Sequence, residues 1–425
     1  MTIYKIVTSL SANTYKNIDA HGAGKSKNNT ILMGSYVALT GQTNGLWREV
    51  TAFGTTGWIK SSDIGDEPGL KIFFVDVGQG DGALIEVGNN FKMLIDGGPD
   101  DNLANYLSKW QYKYYFGRNE KVHFDYVVIS HFDKDHYAGL IDIINDDHYT
   151  FGTILHNGIA KFNDAKANFP ADYDTELGHT ENGYLTTSFD SVDDLNALKT
   201  KGGMLDLVEK FAFAATNARQ QGRLQNFKRA DYLTETVTQD IAGKTLRLDF
   251  LGPVTTEGAK RYKYLDDDAH TINGHSIVLK LTYGIRTILF GGDLNSQAET
   301  HLLEHYGQTN PFEVDIAKSC HHGASEFTVE YMAKVNPHAT VISSGDNESY
   351  SHPRADAIGC AGKYTKSNRP LVFSTELARS TDIKADKIKY GMINLRCNGE
   401  QVIMAQMKEV VTGASVWDLY DNFIS

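Results

Sequence analysis

The sequence predicts an α/β protein in two parts, a small all-β domain over residues 1–66 and a larger mixed α/β domain over residues 68–425. The first part contains short runs with alternating side chains between Gly, Asn and Ser residues, which is typical of strand–turn–strand segments. From residue 68 onward, apolar runs of strand length alternate with helical patterns such as Tyr137–Asn145. The chain of 425 residues has room for both domains, because a domain usually has about 100–200 residues.

The small domain is expected to consist of short strands joined by turns. The predicted strands are Ile31–Met33, Tyr36–Leu39, Trp47–Thr51 and Gly57–Lys60. The piece Gly57-Trp58-Ile59 resembles the final strands of bacterial SH3-like barrels, which commonly carry a tryptophan in this context. The resemblance implies a barrel that binds a peptide, cell wall or a partner domain. A barrel that serves only for packing or oligomerisation fits the sequence equally well.

Apolar runs also predict the strands of the large domain, because each has the length of a buried strand. They are Leu70–Val77, Ala83–Val87, Lys92–Ile95, Phe124–Ser130, Thr245–Leu251, Ser276–Tyr283, Thr287–Phe290, Met392–Arg396 and Gln401–Gln406. The last two are predicted to pair across a turn at Asn398-Gly399. Residues 157–243 are mixed and polar, with a helical stretch at Met204–Ala218, and are predicted to form an insertion beside the cleft.

Composition predicts a cytoplasmic enzyme. Hydrophobic residues make up 41% and charged residues 22%, as in ordinary globular proteins. No signal peptide and no membrane helix of about 18 apolar residues are expected, and three cysteines are too few for a disulfide framework. The net charge of −12 argues against a broad phosphate-binding face. A nucleotide or nucleic-acid substrate is still compatible, because bound divalent metals would make a cleft locally positive.

One short segment concentrates metal-ligand side chains. The apolar run Phe124–Ser130 is followed at once by His131, Asp133, Asp135 and His136. Two imidazoles and two carboxylates packed on one loop would repel one another and lose hydration unless a cation lay between them. A divalent metal turns that cost into binding energy. The segment therefore predicts a metal site rather than a solvated polar turn.

Further polar residues follow the other predicted strands. A single Asp or His at a strand end is more often a cap or a hydrogen-bonding residue than a ligand. Several such residues after an unambiguous cluster favour the metal interpretation. They are Asp96, Asp293, His321, His322, Ser343, Ser344 and His352.

The order of these motifs resembles that of metallo-β-lactamase-fold hydrolases, and among them the soluble domain of the competence protein ComEC. The motifs are Phe74–Asp81, Ile95–Gly98, His131–His136, Leu289–Asp293, His321–Gly323 and His352-Pro353. The resemblance implies an αββα sandwich, in which two mixed sheets pack face to face between helices. It also implies a site at one edge of the sheets and two divalent metal ions, Zn²⁺ or Mn²⁺.

The resemblance also implies a ligand set. His131 and Asp133 would bind the first metal, Asp135 and His136 the second, and Asp293 both. His322 would complete the second site, and Asp96 would hold the metal loop through hydrogen bonds. Many members of the superfamily have His in place of Asp133, and a carboxylate there makes Mn²⁺ more competitive with Zn²⁺.

The third ligand of the first metal is the uncertain position. It is expected just before the strand Ser276–Tyr283, where His275 is adjacent and His270 lies further upstream. His275 is the favoured ligand. If neither histidine binds, the first metal is held weakly and the protein binds one ion only.

The ligand set predicts hydrolysis by metal-activated water, because two cations ~3.5–4 Å apart lower the pKa of a bridging water. Asp135 is the candidate general base. His352 would stabilise the leaving oxygen or protonate it, or form only a structural hydrogen bond. For Asp81, a capping role and a role toward the substrate are both open. The side chains expected to contact a phosphate are His321, Ser343 and Ser344.

The predicted function is a binuclear phosphodiesterase that cleaves DNA, RNA or a smaller nucleotide. The first alternative is hydrolysis of a carboxylic ester or lactone. The second is a non-catalytic scaffold, in which the N-terminal barrel recruits a protein or peptide partner.

Overall fold

The computed structural model describes residues 2–345, 350–376, 393–408 and 414–424. The N-terminal part is all-β, as predicted, and its seven strands form one antiparallel sheet. The strands are β1 (Ile3–Val7), β2 (Ser11–Ile18), β3 (Gly24–Leu32), β4 (Tyr36–Asn44), β5 (Trp47–Ala52), β6 (Thr55–Lys60) and β7 (Ile64–Gly65). Val7, Ile31, Val37, Val50 and Ile59 form its core. The SH3-like assignment stays a prediction.

The large domain begins with strands that lead to the predicted metal loop. In chain order, its first elements are β8 (Leu70–Phe74), β9 (Ala83–Val87), β10 (Phe91–Ile95), α1 (Asn102–Tyr106), a π-helical turn (Leu107–Gln111), α2 (Lys113–Phe116), β11 (Val122–Ile129), α3 (Lys134–Asn145) and β12 (Tyr149–His156). Helix α3 buries the apolar face that the sequence predicted for it, including Leu140, Ile143 and Ile144. That packing fixes the first turn of α3 against the sheet.

The segment predicted as an insertion belongs partly to the sandwich itself. Its elements are β13 (Thr180–Glu181), β14 (Tyr184–Leu185), α4 (Val192–Lys201), α5 (Asp206–Gln220) and β15 (Leu224–Arg229). Strand β15 pairs in parallel with β12 and so extends the large sheet. The aromatic ring of Phe211 in α5 lies 5.2 Å from that of Phe132 in the metal loop. The insertion therefore supports the loop that carries the predicted ligands.

Strands and helices alternate through most of the remaining chain. The elements are β16 (Val237–Ile241), β17 (Lys244–Gly252), β18 (Tyr262–Lys263), α6 (Asp268–Gly274), β19 (Val278–Tyr283), β20 (Arg286–Phe290), α7 (Ser296–Tyr306), β21 (Ile316–Lys318), α8 (Val329–Val335), β22 (Ala339–Ile342), α9 (Ala355–Lys363), β23 (Leu371–Ser374), β24 (Ile393–Cys397), β25 (Val402–Met407) and β26 (Trp417–Tyr420). Strands β24 and β25 form the predicted final pair. Met392, predicted as the first residue of that pair, lies outside the described residues.

Two large mixed sheets form the centre of this domain. The nine-stranded sheet has the order β15-β12-β11-β10-β9-β8-β24-β25-β26, and the seven-stranded sheet has the order β16-β17-β19-β20-β21-β22-β23. One apolar cluster joins side chains from both sheets, such as Ile72, Ile85, Leu281 and Ile316. Two further clusters pack helices on the outer faces. The layers are therefore helix, sheet, sheet and helix, as expected.

Parallel pairing brings several strand ends to common edges. Strands β10 and β11 run in parallel, and so do β20, β21 and β22. The carboxyl ends of parallel strands lie at the same edge of a sheet, so the polar residues that follow them meet there.

Along the described part of the chain, no helix combines the length and the apolar character needed to cross a membrane.

Candidate metal centre

The metal loop connects the end of β11 to the start of α3. Asp133 is the N-cap residue of α3, and its Oδ1 accepts a hydrogen bond from the backbone N–H of Lys134 at 3.1 Å. Such caps satisfy one of the N–H groups left free at the start of a helix. The helix then presents Asp135 and His136 in its first turn.

Four side chains come together at this edge, and we call them the four-donor group: Asp135, His136, Asp293 and His322. Their ligand atoms all lie within 4.8 Å of one another. The Oδ2 atom of Asp293 is 3.2 Å from the Nε2 atoms of both His136 and His322. The Nε2 of His322 is 3.4 Å from Oδ2 of Asp135, and the Asp135 side chain is 28% exposed to solvent. The other three side chains are almost completely buried.

The orientation of the imidazoles fits a cation. Nδ1 of His136 donates to Asp96 at 2.9 Å, and Nδ1 of His322 donates to the carbonyl oxygen of Ser343 at 3.1 Å. In the neutral ring, the Nε2 lone pair then faces a carboxylate, which is repulsive unless a proton or a metal lies between them. Burial alone would lower the pKa of both histidines, but the Asp293 carboxylate raises it well above the usual range.

Unpaired polar atoms converge on the same place. Buried polar atoms in folded proteins almost always have a hydrogen-bond partner. The buried atoms without one at this edge include His131 Nε2, His136 Nε2, His322 Nε2 and Asp293 Oδ1. Imidazole nitrogens and carboxylate oxygens without thiolates suit a catalytic divalent cation such as Zn²⁺ or Mn²⁺. The residues therefore fit the metal that the sequence predicted.

Asp96 lies beneath the metal loop, where the resemblance placed it. Its side chain is fully buried, and it accepts hydrogen bonds from the N–H and the Oγ of Ser130, both at 2.7 Å, and from His136. Burial raises the pKa of Asp96, and the neighbouring His136 acts in the opposite direction. Asp96 thus ties the end of β11 to the first turn of α3.

The two residues predicted for the first metal lie beside the four-donor group but outside it. The ring of His131 is 4.1 Å from that of His136, and burial lowers the pKa of His131 to about 3. The Oδ1 of Asp133 is 3.1 Å from the Nζ of Lys161. The carboxylate of Asp133 is therefore paired with an ammonium group.

The structure places His275 outside the centre, contrary to the prediction. His275 is the C-terminal cap of α6, and its Nε2 lies 2.7 Å from the carbonyl oxygen of Lys263. Burial lowers the pKa of His275 to about 4. The alternative residue, His270, is also elsewhere, with its Nδ1 2.8 Å from Oδ1 of Asp267.

Ser276, the residue after His275, contacts the predicted ligand His131. Its Oγ lies 3.1 Å from Nδ1 of His131 and accepts a hydrogen bond from the backbone N–H of Asp293 at 3.0 Å. A hydroxyl at this position orients its neighbours but is a poorer metal ligand than an imidazole. Sequence reasoning missed this residue because the adjacent histidine was the more obvious donor.

A buried lysine supports the centre and was not predicted. The Nζ of Lys318 lies 2.7 Å from Oδ1 of Asp81, and the same oxygen is 3.3 Å from Nδ1 of His322. The Lys318 side chain is 4% exposed. Burial opposes the charge of Asp81, but Lys318 and His322 keep its pKa below the usual value. A lysine within the apolar run that forms β21 was the available signal.

The remaining predicted residues divide into two groups. His321 and His352 lie at the centre. Nε2 of His321 is 3.9 Å from Oδ2 of Asp293. The imidazole rings of His321 and His352 are 6.0 Å apart. Gln79, which was not predicted, lies 3.1 Å from Nδ1 of His352. Ser344 instead bonds within the fold, because its Oγ lies 3.0 Å from that of Ser374. Ser343 contributes its backbone carbonyl to His322.

No family model and no curated protein matches the chain. Among solved structures, the chain is similar to CmlA, a diiron β-hydroxylase from Streptomyces venezuelae, with 13% identity, 74% of this chain and 55% of that chain covered, and a TM-score of 0.34. It is also similar to a long form RNase Z from yeast, with 12% identity, 68% and 39% covered, and a TM-score of 0.35. A third similar structure is MEM-A1, a subclass B3 metallo-β-lactamase from a soil metagenome library, with 12% identity, 60% and 80% covered, and a TM-score of 0.28.

The chain spans only 55% of the length of CmlA and 39% of that of RNase Z. Likenesses at these identities and TM-scores do not assign the chain to a family.

Proposed function

We propose that the chain is a divalent-metal-dependent phosphodiesterase that cleaves nucleic acid or a smaller nucleotide. The observation that supports it most is the four-donor group, in which buried imidazole and carboxylate atoms face one another without hydrogen-bond partners. Asp135, His136, Asp293 and His322 would hold a metal, with His131 beside them. The bound metal would supply Lewis-acid activation of a water molecule.

The residues around the group have separate tasks. Asp135 is its most exposed carboxylate, and so it is the one best able to accept a proton from water and release it to solvent. His321 and His352 can donate hydrogen bonds to anionic oxygens from one side. Lys161 offers an ammonium group next to Asp133. Cationic and hydrogen-bond donors around a metal suit a phosphodiester anion better than a neutral ester.

The first experiment compares two substrates on the metal-loaded protein, bis-p-nitrophenyl phosphate and p-nitrophenyl acetate. We expect hydrolysis of the phosphodiester, and Asp293→Asn is expected to reduce it at least about 100-fold, because even residues outside a ligand set change activity or metal affinity about 10–100-fold. Cleavage of single-stranded and double-stranded DNA and RNA in parallel would narrow the substrate class.

Asp142→Asn is the matched control, because Asp142 lies on α3 with Asp135 but is exposed to solvent. It is expected to retain full activity. Full activity of the Asp293 variant would refute the proposed centre. Hydrolysis of the acetate alone would replace the phosphodiesterase with an ester hydrolase at the same site.

A further inference from the structure

We infer that the centre holds one divalent ion tightly and that the ammonium group of Lys161 takes the place of a second ion beside Asp133. The inference rests on the proposed function, because it concerns the metal of the same site. The site would then contain one metal ion and one lysine ammonium group in place of the two metal ions that the sequence predicted.

The contact of Lys161 with Asp133 is the first observation. Their Nζ and Oδ1 atoms are 3.1 Å apart, and the two side chains are 23% and 32% exposed. The pair is therefore partly buried and does not lie on the open surface. The same Oδ1 atom also accepts the hydrogen bond from the N–H of Lys134 that caps helix α3. One oxygen of the Asp133 carboxylate is thus already engaged, and the charge of the group is paired with that of Lys161.

The backbone holds Lys161 in this position. Its carbonyl oxygen accepts a hydrogen bond from the N–H of Leu205 at 2.9 Å. Its two neighbours, Ala160 and Phe162, are 1% and 2% exposed and belong to the apolar cluster on the outer face of the nine-stranded sheet. Lys161 is therefore anchored on both sides, and only its side chain reaches toward the metal loop.

The donors for a second ion are incomplete. The four-donor group supplies a full set for one ion. Asp81 and Asp96 also lie close to His136, but they are already bonded to Lys318 and Ser130. The donors predicted for a second ion are His131 and the paired Asp133. The histidine predicted as the third ligand, His275, is turned toward Lys263, and the hydroxyl of Ser276 contacts Nδ1 of His131. A second ion would have to displace Lys161 and rely on water for its remaining ligands.

The charges of the carboxylates around the centre also favour one divalent ion. Asp135 and Asp293 balance one divalent ion, and the remaining carboxylate, that of Asp133, is balanced by Lys161. Asp81 is paired with Lys318, and Asp96 is held by hydrogen bonds from Ser130 and His136. A second divalent ion beside an ammonium group would be repelled, since like charges a few ångströms apart interact strongly at a partly buried site.

The test titrates Mn²⁺ into the chelator-treated full chain and measures stoichiometry by calorimetry and by electron paramagnetic resonance. We expect one tight ion per chain and a second bound at least about 10-fold more weakly. Lys161→Met removes the ammonium group, and we expect it to tighten the second ion about 10-fold or more. Lys161→Arg keeps the charge and is expected to behave like the wild type.

Lys201→Met is the control, because Lys201 forms a similar ion pair, 2.6 Å from Asp172, away from the centre. Two ions of equal affinity in the wild type would overturn the inference and leave the proposed function intact. A second affinity that Lys161→Met does not change would also overturn it. The absence of any bound ion would overturn the proposed function as well. The wild-type titration decides the main point even if the Lys161 variant does not fold.

Discussion

His322 shows, at the scale of a single residue, how a buried side chain is oriented for one task. The carbonyl oxygen of Ser343 and a carboxylate oxygen of Asp81 both face its Nδ1, at 3.1 and 3.3 Å. Lys318 in turn fixes Asp81 through a contact of 2.7 Å. Because acceptors occupy one side of the ring, Nε2 stays directed at the four-donor group.

Lys318→Met keeps an apolar side chain of similar length but removes the ammonium group. We expect the free energy of unfolding to fall by about 3–5 kcal/mol, because Asp81 would become an unpaired buried carboxylate. Chemical denaturation measures this loss. A metal titration is expected to show an affinity about 10–100-fold weaker.

The double variant Lys318→Met/Asp81→Asn leaves no unpaired charge and should regain part of the lost stability without regaining metal affinity. Lys228→Met changes an exposed lysine and serves as the surface control. Equal unfolding free energies for the Lys318 and Lys228 variants would show that the buried pair does not support the fold.

Glu299 gives the stability of the protein a pH dependence. Burial raises its pKa to about 8, although the N–H and Oγ1 of Thr328 donate hydrogen bonds to it. The folded state therefore holds this proton more tightly than the unfolded state, where the pKa is near 4.5. The resulting stabilisation is full below that value and is lost as the pH rises through about 8.

Glu299→Gln cannot ionise, so its stability relative to the wild type should rise between pH 5.5 and pH 8.5. The expected relative gain is more than about 1 kcal/mol, since one unit of pKa shift corresponds to about 1.4 kcal/mol. Urea unfolding at the two pH values measures it. Glu304→Gln, on the exposed side of the same helix, is the control. A constant difference across this pH range would contradict the role of Glu299.

Several site residues could be predicted because an apolar strand ends abruptly in ligand-type side chains, as it does at His131 and Asp293. The choice between His275 and Ser276 could not be made in this way, because it depends on how α6 ends. Its cap turns the imidazole of His275 toward a backbone carbonyl and leaves the hydroxyl of Ser276 in contact with Nδ1 of His131. Lys161 escaped prediction because it comes from a distant polar segment.

The position of helix α3 decides the geometry of the centre at the scale of elements. Gly139 lies where α3 crosses the loop after β10, and its backbone N–H donates to the carbonyl oxygen of Gly98 at 2.9 Å. A Cβ atom at Gly139 would lie far inside the contact distance of two carbonyl oxygens, those of Gly97 and Asp100. Backbone cannot yield as a flexible side chain does, so any larger residue must displace the helix.

Gly139→Ala is therefore expected to lower the free energy of unfolding by about 1–3 kcal/mol, as overpacking usually does. It should also weaken metal binding, because α3 carries Asp135 and His136. Denaturation and metal titration measure the two effects. Gly359→Ala, on α9, meets nothing within 4 Å and should be neutral or slightly stabilising. Unchanged metal affinity in Gly139→Ala would show that the helix position does not control the centre.

Many strands of the sandwich were predictable from apolar runs, but others, such as β15, were not. The prediction Thr287–Phe290 differs from the observed β20 by one residue, because a continuous apolar run marks a buried strand. Strand β15 buries Leu224 and Phe227 but exposes most of the residues between and after them. Its short, mostly polar sequence gave no strand signal, and pairing with β12 at the edge of the sheet determines its conformation.

The whole molecule combines two parts whose contact involves a buried charge. Arg396 in β24 donates to the carbonyl oxygen of Met33 at 3.5 Å, and its guanidinium lies 4.5 Å from the ring of Phe73. The N-terminal sheet is thereby joined to an inner strand of the nine-stranded sheet. A protein or peptide partner for this N-terminal part stays a prediction, because its sequence shows a β pattern without a chemical signature.

Metal should stabilise the whole molecule, because the four-donor group brings together strand ends from both large sheets. Without a cation, buried carboxylates and imidazole lone pairs face one another across the layers. A ligand that binds only the folded state adds about 2.7 kcal/mol of stability when its free concentration is about 100 times its dissociation constant. The thermal midpoint of the chelator-treated protein should therefore rise when Mn²⁺ or Zn²⁺ is added.

Differential scanning calorimetry with and without metal measures this rise of the thermal midpoint. Asp293→Asn should abolish the rise, whereas Asp142→Asn should retain it. If the wild type and the Asp293 variant gained the same stability, the metal would bind outside the four-donor group.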